Sequence, residues 1–319
     1  MHVARDQELR SPLERRSVVT IGVFDGLHLG HQKIIEQVRF VARQRDALAA
    51  VVTFDPHPAL VLAPESAPLL LATVPQRLAG LAALEVDVVR VLTFNEVLAH
   101  ESADSFVQRV LVDELRSCHV IVGEDFRFGH DRAGDVALLA RYGARHDFDV
   151  HPAPIYAGQQ RWSSTAVRRA LGANDVAGAN AILGRPFTLR GLVGHGDARG
   201  ATLGYPTANV TAPERQQLPG LGIYAGAVRT VDGRWWPAAL SVGTRPQFYD
   251  KGAVLVEAHL VGYHGDLYDT SVDVAFLARL RGETRFASVA ELITQIDRDV
   301  VQTLEIFPHF SPQSSALLG

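Results

Sequence analysis

The chain has 319 residues, 47% hydrophobic and 21% charged, with a formal net charge of −4 from 31 basic and 35 acidic side chains. That length suggests two domains, each large enough to bury a core, and the charge balance leaves no electrostatic footprint for nucleic acid or a membrane surface. A single cysteine, Cys118, rules out an internal disulfide, and no signal-like start or run of about 18 apolar residues occurs, so a cytoplasmic protein with no membrane span is expected.

The first half alternates strand-like and helix-like patterns. The β-branched run Val18–Val23 predicts a strand that ends in glycine-rich sequence. Leu29–Asp46 follows with helical spacing, its apolar face carried by Ile34, Ile35, Val38 and Val41. Ala49–Phe54, Val86–Leu92 and Val120–Val122 read as further strands, with a helix over Ser102–Leu115. Cys118 reads as a small buried residue beside the last of these. Strands apolar on both faces and separated by helices imply a parallel sheet covered on both sides. Thr165–Leu171 and Asp175–Leu183 read as short helices closing this half. After Gly184-Arg185-Pro186 the pattern changes to short alternating segments at Leu189–Val193, Ile223–Val228, Trp236–Val242, Val254–Leu260 and Ser271–Phe276. Such segments, broken by Gly and Pro, predict a small β-barrel, and Val289–Leu304 has the period of a final helix. The fold class is thus α/β plus β, with domains over 1–184 and 185–319.

The first strand runs into Gly22, Asp25 and Gly26, and then into His28-Leu29-Gly30-His31 at a helix start. Unpaired N–H groups and the positive dipole end suit such a start to phosphate. His28 and His31 are three apart and share one side of the helix. Two imidazoles there can donate to triphosphate oxygens as charge builds during attack at the α-phosphorus. The other readings of the pair are two histidines packed in a turn, or two metal ligands. There is no GxxxxGK[ST] segment, and the only lysines are Lys33 and Lys251, which excludes a P-loop ATPase.

In the second half, the glycine-dense Gly191–Val210 lets the backbone approach a ligand and adds the charges of Asp197 and Arg199. Thr207 and Asn209 are two apart and share a face on a strand, where they can meet one magnesium ion or one phosphate. Glu257, on a strand-like run, can accept the proton of an attacking hydroxyl; alone it would be read as a solvated strand glutamate.

The string TIGVFDGLHLGHQKII resembles the adenylyltransferase half of prokaryotic bifunctional riboflavin kinase/FAD synthetases. VTFDPHP (52–58), VGEDFRFG (122–129) and SSTAVR (163–168) agree with that family, and so do PTAN, GIYAGAV, SVGTRP, VEAHL and LRGETRF in the second half. The resemblance implies a Rossmann-like nucleotidyltransferase domain with a parallel sheet, then a six-stranded riboflavin kinase barrel with a terminal helix. It places Gly22, Phe24, Asp25, Gly26, Gly30, Ser163, Ser164, Thr165, Arg168, Gly196 and Gly200 around ATP or its phosphates. It assigns Pro56, His57, Pro58, Asp125, Phe126, Phe128 and Arg281 to the flavin, and Thr207 and Asn209 to a metal. His28, His31 and Glu257 become catalytic. The implied substrates are riboflavin, FMN and ATP, with Mg2+ in both steps; self-association is left open.

Three positions depart from the family pattern: Arg245, Gln247 and Asp269, the last at a place where glycine is usual. All three sit around the kinase pocket and put flavin affinity and loop mobility in question; residues 249–252 are expected to form a mobile loop there. The alternatives are a nucleotidyltransferase for another phosphorylated alcohol with a passive flavin-binding barrel, and a flavin-binding protein without turnover. Retention of Thr207, Asn209, Glu257 and both histidines argues against them.

Overall fold

The structure, a computed structural model, describes residues 1–5, 12–154, 162–196, 199–244 and 254–311. Asp197, Arg245, Gln247, the 249–252 loop and the side chain of Arg199 lie outside the described residues. The chain divides into two compact units, Met1–Pro68 with Val74–Trp162, and Leu69–Thr73 with Ser163–Ala316.

The first unit is a parallel sheet of β1 (His2–Ala4), β2 (Ser17–Ile21), β3 (Leu48–Asp55), β4 (Val88–Thr93), β5 (Ser117–Gly123) and β6 (Asp149–Ala153), in the order β1-β4-β3-β2-β5-β6. Its helices are α1 (Leu29–Gln44), α2 (Pro58–Leu62), α3 (Val74–Ala83), α4 (Glu96–Ala99), α5 (Ala103–Phe106) and α6 (Val136–His146). β2 is buried along its whole length because both faces are covered. Val18 packs in a cluster with Val38 and Ala42 of α1, and Val19 packs in another with Phe106 and Leu111. Cys118 is buried, and its thiol hydrogen-bonds Ser17 O. The helix expected over Ser102–Leu115 has that extent, but after α5 it continues as a π-helix over Val107–Glu114. Gln108–Asp113 (2.8 Å) and Arg109–Glu114 (3.1 Å) are side-chain pairs five residues apart, which suits the wider turn. β1, α2, α3, α4, α6 and β6 are additions to the expected elements.

The chain leaves β2 for β3 and β4 on one side, then returns to β5 and β6 on the other. In an open α/β sheet, the crevice outside the carboxyl ends of the strands at such a reversal is where ligands bind. The loops that follow β2, β3 and β5 emerge at this edge.

The second unit holds α7 (Ser164–Gly172), α8 (Val176–Leu183), β7 (Phe187–Gly194), α9 (Arg199–Thr202), β8 (Ala208–Thr211), β9 (Gly222–Arg229), β10 (Trp235–Thr244), β11 (Val254–Leu260), β12 (Ser271–Arg281) and α10 (Val289–Ile306). Among the described residues, the strands close an antiparallel barrel in the order β10-β11-β8-β7-β12-β9. α7 and α8, expected to close the first half, belong to this unit. Asn180 of α8 donates from Nδ2 to Phe276 O at 2.9 Å and accepts from Phe187 N at 2.7 Å, so the helix is tied to β12 and to the start of β7. Along β11, Val256, Ala258 and Leu260 are buried, while the alternate Glu257 and His259 are half-buried. α10 packs against β9, β10 and β12. No helix among the described residues is long and apolar enough to cross a membrane.

Candidate active sites

In the first unit, β2 ends at Gly22, whose N–H donates to Val52 O at 3.0 Å. The following loop is tightly folded: Phe24 (φ 54°), Gly26 (φ 80°) and Leu27 (φ 45°) all lie in the left-handed region. Asp25 is buried within it. His28 is the N-cap of α1, and its Nδ1 accepts from His31 N at 3.4 Å, which leaves the proton of the neutral ring on Nε2. The rings of His28 and His31 stack with centroids 3.6 Å apart, and the Phe24 ring meets His31 edge-on at 5.1 Å. Burial, and then the neighbouring His28, hold the His31 pKa well below the ordinary histidine value. His31 is therefore neutral, with one ring N–H, and its buried Nδ1 meets no hydrogen-bond partner among the described residues. A Cβ on Gly30 would stand 3.2 Å from the His28 ring and 3.6 Å from Trp162 O, so glycine leaves the stacked pair room.

The motifs that the resemblance assigns to the flavin follow the neighbouring strands. Pro56, His57 and Pro58 follow β3 through a cis Asp55–Pro56 bond, and His57 caps α2 by accepting from Ala59 N at 3.1 Å. Asp125 and Phe126 follow β5; Asp125 is exposed and Phe126 half-buried. Phe126 stacks on Phe128 at 5.4 Å, and Phe128 itself is buried against Phe106. One aromatic of the motif thus forms the floor and the other faces outward. Ser163, Ser164, Thr165 and Arg168 open α7 in the second unit, where Ser163 Oγ caps the helix by accepting from Ala166 N at 3.1 Å and Arg168 Nε donates to Leu69 O at 2.6 Å.

In the second unit, a cavity of about 420 Å³ is bounded by the outer barrel face and α10. Thr207, Asn209, Glu257 and Arg281 all line it, together with Gly200, Tyr205 and Asp299. Barrel register makes this cluster: Glu257 pairs with Asn209 of β8 on one side and Ser241 of β10 on the other. Thr207 lies one residue before β8, and the carbonyl of Pro206 is 2.8 Å from His259 Nδ1. A Cβ on Gly196 would fall 2.1 Å from Asn209 Nδ2, and one on Gly200 would fall 2.3 Å from Tyr205 O and 3.4 Å from Thr207 Oγ1. The glycines thus form a cradle against the two oxygen-bearing side chains. Two neutral oxygens beside one carboxylate suit a hard divalent cation that keeps waters and shares phosphate oxygens. Among the described residues no group of three His, Cys, Asp or Glu is placed to hold a metal by itself.

Arg281 is engaged by a residue that periodicity did not single out. Asp299 of α10 is buried and takes a fork from Arg281, Nε at 3.1 Å and Nη2 at 2.7 Å, and a further bond from Gln295 at 2.9 Å. Tyr205 OH donates to Asp297 Oδ1 at 2.6 Å, a second tie to the same helix. Asp269 adopts φ 57°, the backbone region that favours the glycine usual in the family.

The family model described as FAD synthetase matches residues 10–166, and the one described as riboflavin kinase matches residues 183–307. The chain is 42% identical to the bifunctional riboflavin kinase/FMN adenylyltransferase of Pseudomonas fluorescens, over 94% of this chain and 96% of that one. It is 38% identical to the protein of the same description from Escherichia coli (strain K12), over 91% and 92%. Among solved structures, a crystal structure described as a macrolide-efflux protein from Streptococcus pneumoniae is similar, with a TM-score of 0.86 and 29% identity, over 95% of this chain and 99% of that one.

Proposed function

The chain belongs to the bifunctional riboflavin kinase/FMN adenylyltransferase family and carries both transferase activities, and on that premise we propose how its residues divide the work. FAD formation belongs to the unit that holds the parallel sheet and FMN formation to the unit that holds the barrel.

In the second site, riboflavin lies in the cavity between barrel and α10, with Arg281 at its wall. Glu257 accepts the proton of the 5′-hydroxyl as that oxygen bonds to the γ-phosphorus of ATP; the bond to the β,γ-bridging oxygen breaks and ADP leaves. Thr207 and Asn209 hold Mg2+, and Gly196 and Gly200 let the phosphate chain pass close to the backbone. When bound, the ion neutralises phosphate charge. The juxtaposition of Glu257 with Asn209 across one strand pair is the observation that carries this reading.

In the first site, a phosphate oxygen of FMN attacks the α-phosphorus of a second ATP and pyrophosphate leaves. His28 and His31 donate N–H groups to the oxygens on which charge builds, acting by position without a covalent intermediate. Gly22, Phe24, Asp25, Gly26 and Gly30 shape the nucleotide side, while Ser163, Ser164, Thr165 and Arg168 are phosphate donors by the resemblance alone and open α7 in the second unit. Pro56, His57 and Pro58 lie by the flavin phosphate. Asp125 and Phe126, with Phe128 behind, hold the rest of the flavin. Consumption of ATP at both sites supports the cytoplasmic expectation.

Purified protein given riboflavin and Mg-ATP is expected to accumulate FMN and then FAD, and chelation of the divalent ion to stop both. Absence of either product contradicts the two-activity reading, and turnover undiminished by chelation contradicts the metal assignment.

A further inference from the structure

Arg77 takes no part in the chemistry above, yet the residue is only 5% exposed and its guanidinium bonds two of the loops that make the first site. Nη1 donates to Val23 O at 2.7 Å and to Thr53 Oγ1 at 3.0 Å, and Nη2 donates to Phe54 O at 3.0 Å. Thr53 Oγ1 itself donates to Val23 O at 3.1 Å, so the Val23 carbonyl is held by two donors. Val23 precedes Phe24, the left-handed residue whose ring rests on His31. Phe54 precedes Asp55, Pro56, His57 and Pro58, the flavin-phosphate side.

Resting on the assignment of adenylyl transfer to this site, we propose that Arg77 is a positioning residue that sets the distance between the nucleotide loop and the flavin-phosphate loop. Burial lowers the Arg77 pKa from the ordinary arginine value, and the nearby Asp25 and Asp55 oppose that in part. A planar fork is needed: one nitrogen spans Val23 and Thr53 while the other reaches Phe54, and a lysine ammonium is a single point that cannot reproduce both directions. Because attack at phosphorus depends on alignment, a shift of about 1 Å between the loops costs on the order of a hundredfold in rate.

The test uses the full-length protein with Arg77→Lys, Thr53→Val and His28→Ala variants, and measures kcat and KM for FMN and ATP per folded molecule, with folding followed by circular dichroism. Kinase turnover in the same samples serves as the internal control. For Arg77→Lys the proposal predicts a fall in FAD-forming kcat of at least about tenfold and a rise in KM for FMN. For Thr53→Val, which keeps the charge and nearly the shape, it predicts a smaller change in the same direction. Unchanged kcat and KM per folded molecule, with only a lower melting temperature, would overturn it. If Arg77→Lys does not fold, Thr53→Val decides alone, since parental constants there also overturn it. FAD formation surviving in His28→Ala would instead fault the site assignment, whatever the Arg77 result.

Discussion

The proposed mechanism gives His31 and Glu257 opposite tasks, one as donor and the other as base. His31 is kept neutral by burial and by a second imidazole stacked on it. Below the ordinary histidine pKa of 6.5 the unfolded chain takes up a proton there that the folded chain does not. The unfolded state then binds more protons, so stability falls with falling pH, by about 1.4 kcal/mol per pH unit, until the folded pKa is reached. Heating at graded pH below about 6.5 should therefore destroy FAD-forming activity before kinase activity, and His31→Asn should remove much of that acid sensitivity, as thermal denaturation can check. An acid profile identical in the parent and His31→Asn contradicts this. At the second site, Gly196→Ala puts a Cβ 2.1 Å from Asn209 Nδ2, so the amide must move. We expect a loss of about tenfold or more in kinase kcat/KM with FAD formation from supplied FMN unchanged, read by steady-state kinetics. The histidine pair and its glycines were legible in the sequence because they are contiguous and follow a strand. Arg77 was not, because its partners Val23, Thr53 and Phe54 meet it only through folding.

At the scale of elements, the terminal helix is the clearest case of packing that overrides periodicity. Leu292, Ile296, Val300 and Leu304 gave the period, but the fully buried positions are Asp299 and Thr303, and Leu304 is 44% exposed. The reason is chemical: Asp299 satisfies Arg281 at the cavity wall, and a buried polar residue carries no apolar signal. Asp299→Ala leaves the Arg281 charge without its fork and is expected to lower the stability of the second unit by about 3 kcal/mol and to raise KM for riboflavin. Denaturant unfolding and kinase kinetics measure the two effects. α3 escaped notice for a similar reason, since Gln76 and Arg77 are among its buried residues. β6 carries Pro152 and is mostly exposed at the sheet edge, where proline is tolerated and alternation is lost. By contrast β2, β3 and β5 lie inside the sheet, and their apolar runs were read with ends a few residues off.

Each compact unit has its own core and its own cluster of chemical groups. The parallel sheet brings three separate sequence motifs to one carboxyl edge, and barrel register sets Glu257 beside Asn209. Order along the chain grouped most motifs by half, but residues 163–168, expected in the first half, open α7 in the second unit, and the pairing of Glu257 with Asn209 and Ser241 required the closed barrel. If chemistry follows these clusters, the two activities must be separable by single substitutions within one full-length chain. The most direct test supplies parent, His28→Ala and Glu257→Ala proteins with riboflavin or FMN plus Mg-ATP, and separates the products. His28→Ala should still make FMN from riboflavin but no FAD, and Glu257→Ala should make no FMN yet still convert supplied FMN to FAD. Equal loss of both steps in both variants would contradict the assignment of one site to each unit.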